Sequence, residues 1–262
     1  MVEADQSGSG VATTCDAFLA GRVMVDQPKT GYRAGLDAVL LAATVPVATS
    51  VQPQVKVLDL GSGVGTVGLC VAARVATAIV VLLEREPALL ALAADNVARN
   101  GMSARVRVVA ADVDLAAEML GLASDSFDHV LANPPYQIEG QGRPSNDPVK
   151  ARSHAMPAGN LDRWARVMAR VTKPGGTATL IHRADAVGEI LSTFEGRFGA
   201  IVVLPIYPRS GEHAVRIVVS GIKGNRAPLR VMPGLVLHKR DGHEFTPQLQ
   251  AILRDGSVLP LT

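Results

Sequence analysis

The chain has 262 residues, 48% apolar and 19% charged, with a net charge of +2: enough apolar content for one sizeable core and too much for a disordered chain. No stretch approaches the ~20 apolar residues of a membrane span, and residues 1–14, rich in Ser and Gly with Glu3 and Asp5, lack the apolar centre of a secretory leader. Cys15 and Cys70 lie far apart and the six His are scattered, so the expectation is a reduced, cytoplasmic protein without membrane or metal.

Residues 1–14 read as a flexible tail and 15–262 as one domain, with 15–50 as an amino-terminal flank. Asp37 heads the apolar run Ala38 to Ala43, which suits a helix N-cap. Val55 to Leu60 is a buried strand, followed by Gly61-Ser62-Gly63-Val64-Gly65-Thr66 and a helical pattern from Val67 to about Ala76. In this strand–turn–helix unit the glycines let backbone approach a ligand, and the helix N-terminus adds oriented N–H groups. Thr66 stands where a dinucleotide-binding pattern needs its last glycine, and no Gly-Lys-Ser/Thr follows, so neither NAD nor a nucleoside triphosphate is favoured. Ala78 to Leu83 is a second strand ending at Glu84, nineteen residues beyond Gly65, where an acid can take both hydroxyls of a ribose. A third strand, Val106 to Ala111, ends at Asp112.

Phe127 to Ala132 is a fourth strand, and it delivers Asn133-Pro134-Pro135-Tyr136 to a carboxyl edge, where open α/β sheets bind ligands. The Asn133 amide oxygen is an acceptor. Pro134 and Pro135 lack N–H donors and have fixed φ, so the turn is stiff and its carbonyls can point outward. Two convergent acceptors suit a planar NH2 group, and Tyr136 offers an aromatic face in a chain where aromatics are only 3%.

Residues 137–159 form a polar stretch expected to be a substrate-side loop, with Arg143, Lys150 and Arg152 available to phosphates. Leu161 to Val171 is helical and stops at Lys173-Pro174-Gly175-Gly176, a helix-end and turn signal. Thr177 to His182 is the fifth strand, Asp185 to about Phe194 a helix, and Ala200 to Leu204 with Ala214 to Ser220 a terminal hairpin. In its connection, Arg209 and His213 either meet a polyanion or face water. Leu229 to Met232 and Leu235 to His238 add a short apolar element, and Thr246-Pro247 starts a last helix. Residues 1–140 carry nine Lys/Arg against fifteen Asp/Glu, whereas 141–262 carry seventeen against nine. A basic half of this kind favours a phosphate-bearing partner.

The order glycine turn, acid, acid, Asn-Pro-Pro-Tyr at successive strand ends resembles the Rossmann-like S-adenosylmethionine-dependent amino-methyltransferases. Phe18 to Arg22, Gln27-Pro28, Gly31 to Ala43 and Leu180 to Asp185 are similar to the bacterial tRNA1(Val) adenine-37 N6-methyltransferases, along almost the whole chain after about Thr13. The resemblance implies an α/β class I fold: a doubly wound, mostly parallel seven-stranded sheet with an antiparallel terminal hairpin. It implies S-adenosylmethionine as cofactor, held at its methionine end and ribose by Asp37, Asp59, Gly61, Ser62, Gly63 and Gly65, at the ribose by Glu84 with Arg85, and at the adenine by Asp112 and Val113. Asn133, Pro134, Pro135 and Tyr136 would hold the target amine, with Asn133 also beside the cofactor. Tyr32, Arg33, Arg183 and Arg209 join the loop cations as RNA-binding candidates. The expected partner is tRNA and the expected assembly a monomer or weak dimer.

A protein-glutamine methyltransferase acting on release factors uses the same turn, but its amino-terminal helical domain is missing here and it does not require a basic half. N6-adenine methylation of another RNA or of DNA fits the same motif. A non-catalytic RNA-binding module would not need acids at successive strand ends, and an NAD oxidoreductase is disfavoured by Thr66.

Overall fold

The computed structural model describes residues 12–31, 33–47, 54–113, 121–138, 155–156 and 160–261, the side chains of 137, 138, 155, 156 and 160 excepted. It opens with an antiparallel hairpin, β1 (Thr13–Phe18) and β2 (Val23–Pro28), followed by α1 (Leu36–Ala43). Then come β3 (Val55–Leu60), α2 (Thr66–Arg74), β4 (Ala78–Glu84), α3 (Pro87–Arg99), β5 (Val106–Ala110) and β6 (Phe127–Ala132). Two-residue strands β7 (Gln137–Ile138) and β8 (Ala155–Met156) pair in parallel, so the two ends of the expected 137–159 loop meet. The chain continues through α4 (Asn160–Val171), β9 (Thr172–Arg183), α5 (Val187–Phe194), β10 (Phe198–Tyr207) and β11 (Arg216–Lys223). It finishes with β12 (Arg230–Val231), β13 (Leu235–Val236) and α6 (Pro247–Gln250).

The main sheet runs β5-β4-β3-β6-β9-β11-β10, parallel except for β11, which is antiparallel to both neighbours; β12 and β13 lengthen its edge beside β10. Strand side chains alternate between two apolar layers. Val57, Val80, Leu82 and Leu131 face α1, α2 and α3, whereas Leu58, Leu60, Leu83 and Ala132 face α4 and α5. Strand order reverses between β3 and β6, which makes the crevice beyond their carboxyl ends the topological switch point. Register brings Leu60, Leu83, Ala132 and Leu180 into one row, so the residues just past them, Gly61, Glu84 and Asn133, share a rim.

Four local expectations change. The 13–28 hairpin had no strand signal, and its first residues lie inside the stretch read as a tail. Gly35 is the N-cap of α1, and Asp37 stands inside the first turn with no capping bond. Lys173 to Gly176 do end α4, but they continue as an irregular start of β9: the pairing with β6 shifts between Phe127 and His129, and Lys173 bonds Asp128 at 2.7 Å. The last helix starts as expected, with Thr246 Oγ1 accepting from the Leu249 N–H at 3.4 Å, but keeps α-helical form only to Gln250.

Arg74 ties the carboxyl-terminal segment to this frame. It is 8% exposed and donates to the carbonyls of Ala42, Val45 and Gly256 at 2.5, 3.2 and 2.8 Å. Burial lowers its pKa to about 10, so it stays charged at neutral pH. Arg74→Met would take a charged donor from three carbonyls, of which Ala42 keeps the Val45 N–H at 3.3 Å while those of Val45 and Gly256 lose their Arg74 bonds. The expected cost is about 3 kcal/mol, read as a fall of roughly 5–10 °C in Tm by calorimetry.

Candidate active site

Beyond β3 the chain turns through Gly61, Gly63 and Gly65, all at positive φ (69°, 56° and 89°), before α2 begins. Their surroundings differ. A Cβ on Gly61 would stand 2.4 Å from the Trp164 indole and one on Gly65 2.8 Å from Leu82, whereas no described residue lies within 4 Å of a Cβ on Gly63. Gly61 and Gly65 are therefore glycines for packing as well as for φ, and Gly63 faces open space. Glu84 holds this turn in place. Its carboxylate accepts from Gly63 N–H at 2.8 Å, Arg85 N–H at 2.8 Å and Glu86 N–H at 3.0 Å. About four lone-pair positions exist on a carboxylate, so three amides leave room for a ligand hydroxyl.

Asp59 sits beneath the turn, 1% exposed, with Oδ2 accepting from Gly68 N–H in α2 at 2.9 Å. Burial raises its pKa to about 7. Ser62 and Thr66 are buried, and their hydroxyls have no hydrogen-bond partner among the described residues. Two orphaned hydroxyls, an open Gly63 and a rim carboxylate fit a ligand with a ribose and a charged end. Arg85 lies 3.7 Å from Asp112 at the end of the next strand, and Val113 is buried beside it in the α4 layer.

The side of the crevice that carries the Asn-Pro-Pro-Tyr turn is built around Tyr136. Its Oη lies 2.7 Å from Asp37 Oδ2 and 2.7 Å from Asn133 Oδ1. Arg216, at the start of β11, donates from Nε to the same Asp37 oxygen at 3.0 Å and lays its guanidinium 4.8 Å above the Tyr136 ring. Partial burial opposes the Arg216 charge, yet the bond to Asp37 leaves its pKa raised. His182 packs edge-on to Tyr136 with ring centroids 4.9 Å apart. It is 5% exposed, neither ring nitrogen has a hydrogen-bond partner of good geometry among the described residues, and burial pushes its pKa down to about 4, so it is neutral at pH 7. Pro134 is buried, while Asn133, Pro135 and Tyr136 keep partial exposure.

Asp37 thus lies against the Asn-Pro-Pro-Tyr turn. The motif signal missed Arg216, which sits in an ordinary-looking strand, and gave His182 no role although it fell within a quoted segment. Of the RNA candidates, Arg33 bonds Asp16 and the Pro28 carbonyl and so braces the β1–β2 hairpin. Arg183 is exposed and paired with Asp185; Arg209 donates to the Gly242 carbonyl at 2.7 Å. Tyr32, Arg143, Lys150 and Arg152 lie outside the described residues. No helix among the described residues is long and apolar enough to cross a membrane.

Two outcomes are expected from the cofactor side. Gly63→Asn, a residue that tolerates positive φ, has room beside the described residues and fills ligand space, so cofactor Kd should rise at least ~10-fold in calorimetric titration, while Gly65→Asn, blocked by Leu82, loses fold stability first. Because the folded pKa of Asp59 lies above its unfolded value, its contribution is fully present below about pH 4 and lost as pH rises through 7. Asp59→Asn, which keeps an acceptor for Gly68, should remove that decline, of order a few kcal/mol, from Tm measured between pH 5 and 8.

The methyltransferase small domain family model matches residues 35–147, from α1 through the Asn-Pro-Pro-Tyr turn. A tRNA1(Val) (adenine(37)-N6)-methyltransferase of Bacteroides fragilis is 31% identical over 160 residues, 60% of this chain and 63% of that protein. The Aeromonas hydrophila protein of the same name is 27% identical over 83% of this chain and 87% of its own length. The chain therefore spans less than two thirds of the Bacteroides relative. A crystal structure described as a predicted O-methyltransferase from Agrobacterium tumefaciens superposes with a TM-score of 0.71 at 32% identity, over 86% of this chain and 98% of that one. That end-to-end likeness, the matched family model and the glycine turn with its orphaned hydroxyls place the chain in the class I S-adenosylmethionine-dependent methyltransferases, with S-adenosylmethionine as its cofactor.

Proposed function

We propose that this methyltransferase modifies the exocyclic N6 amine of adenine in tRNA, at an anticodon-loop position of the adenine-37 type. The observation that carries the reading is the acceptor site. Asn133 and the Pro134 carbonyl are hydrogen-bond acceptors on a stiff turn, in the crevice that also holds Gly63 and Glu84. The names of the Bacteroides and Aeromonas relatives support the substrate, and the basic carboxyl half supports a polyanion.

When bound, S-adenosylmethionine supplies a methyl group on a sulfonium. The residues of this chain have the harder task of preparing the acceptor, because the amine lone pair of adenine is delocalised into its ring. Asn133 Oδ1 and the Pro134 carbonyl each accept one amine hydrogen, which favours a pyramidal nitrogen with its lone pair turned toward the cofactor. Neither group is a base at neutral pH, so the surplus proton leaves after transfer. His182, with a pKa of about 4, is a weak base at pH 7, and Asp37 is engaged by Tyr136 and Arg216. A hydroxyl acceptor would need its proton taken earlier, so this setting suits nitrogen better than oxygen. An anticodon-loop base leaves its stack at little cost.

Two measurements test the proposal. Incubation with labelled S-adenosylmethionine and unmodified bulk tRNA, followed by digestion and mass spectrometry, should give N6-methyladenosine. Methyl on no nucleoside, with cofactor bound, would move the acceptor to a protein glutamine or another nucleic acid. Asn133→Ala should lower kcat at least ~100-fold while cofactor Kd changes less than about 3-fold, since it removes contacts made to the acceptor. Turnover by that variant at the wild-type rate would contradict the assignment.

A further inference from the structure

We propose that Arg216 and Asp37 are positioning residues that set the hydrogen-bond direction of Tyr136 and, through it, the orientation of the Asn133 amide. The inference rests on the reading of Asn133 as the group that accepts the target amine.

A phenol has one hydrogen, yet Tyr136 Oη lies 2.7 Å from two oxygens, Asp37 Oδ2 and Asn133 Oδ1. One hydrogen cannot serve both acceptors well. A carboxylate is the stronger acceptor, so the phenol hydrogen belongs to Asp37. The second contact is then satisfied by a half-turn of the Asn133 amide about its last bond, which brings Nδ2 to the phenol oxygen as donor. Amide oxygen and nitrogen are interchangeable in shape and are assigned from their partners. In that arrangement Asn133 Oδ1 is turned away from Tyr136.

Arg216 fixes the sense of this chain. Its Nε–H donates to the same Asp37 oxygen at 3.0 Å, supplying the counter-charge, and its guanidinium lies 4.8 Å over the ring whose hydroxyl Asp37 holds. In the proposed arrangement Arg216 and Tyr136 both donate into Asp37, and Asn133 Nδ2 donates into Tyr136. If Asp37 were replaced by a group able to donate, the phenol hydrogen could swing to Asn133 and occupy the oxygen meant for the amine. The three anchors come from α1, from the turn after β6 and from β11, with 179 residues between Asp37 and Arg216. Each is held by its own element, and only the folded sheet brings them together.

The test uses the full chain and the variants Tyr136→Phe, Asp37→Asn, Arg216→Gln, Arg216→Lys and the double variant Arg216→Gln/Tyr136→Phe. Steady-state kinetics with tRNA, cofactor Kd and Tm are measured for each. Tyr136→Phe and Asp37→Asn should lower kcat by roughly 10- to 100-fold, and Arg216→Gln by about 10-fold, with cofactor Kd within about 3-fold. Arg216→Lys should recover part of the loss, because it restores the charge without the planar stack. The double variant should be no slower than Tyr136→Phe alone, because Arg216 acts through Tyr136. Losses that multiply in the double variant, or wild-type kcat in Arg216→Gln, would overturn the proposal.

A substrate-free readout separates this inference from the acceptor assignment. The chain has three tyrosines, so 13C labelling of their rings gives few signals, and Tyr136→Phe identifies one. The Tyr136 ring signal should move in both Arg216→Gln and Asp37→Asn without any acceptor present. If it moves while wild-type protein methylates no tRNA, the network stands and the acceptor reading fails. If it stays in place, the network fails whatever the acceptor.

Discussion

The rim beyond β3 and β4 depends on one carboxylate that accepts three amides. Glu84 ends β4 and accepts from Gly63, Arg85 and Glu86, joining the turn after β3 to the strand beside it. A turn with three glycines at positive φ is entropically costly to order, and the bond from Gly63 N–H to the Glu84 carboxylate offsets part of that cost. Trp164 and Leu82 then block the space at Gly61 and Gly65, leaving Gly63 as the glycine with open space at its Cβ position. Beneath it Asp59 takes the Gly68 amide and settles the start of α2. The open space over the turn follows from what is packed around it.

The acceptor side is organised differently, by polar groups from distant segments. Tyr136 is tied by Asp37, covered by Arg216 and flanked by a neutral His182. A charged histidine there would oppose Arg216; burial keeps it neutral. The Agrobacterium relative is described as a predicted O-methyltransferase and the Bacteroides relative as a tRNA1(Val) (adenine(37)-N6)-methyltransferase, so likeness leaves the acceptor atom to chemistry. Amide and carbonyl acceptors without a ready base are suited to an amine, whose hydrogens need holding and not early removal.

Much of this was legible in the sequence because parallel strands buried on both faces give unbroken apolar runs, and each ended on a polar residue. Val55 to Leu60, Ala78 to Glu84 and Phe127 to Ala132 were readable for that reason, and so was the rim they form. The 13–28 hairpin was not, since Thr13 to Phe18 mixes polar and apolar residues and the second strand is held by partners such as Asn96, which accepts from Asp26 N–H at 2.8 Å and lies seventy residues away. Asp37 looked like a helix cap because capping is the local use of an Asp before an apolar run. Its partners, Tyr136 and Arg216, are contributed by the tertiary fold. Arg216 carried no local signal, because its role depends on the antiparallel return of β11 beside β9, where it pairs with Arg183 across the rim.

The central claim is that the methyl group goes to nitrogen on a base. Transfer of a 13C-methyl group from S-adenosylmethionine to tRNA carrying 15N at the exocyclic amine of adenine, followed by NMR of the product, reads the new bond itself. A methyl carbon signal split by one-bond coupling to 15N is the predicted result. An unsplit signal at the shift of a methyl on oxygen would contradict the account.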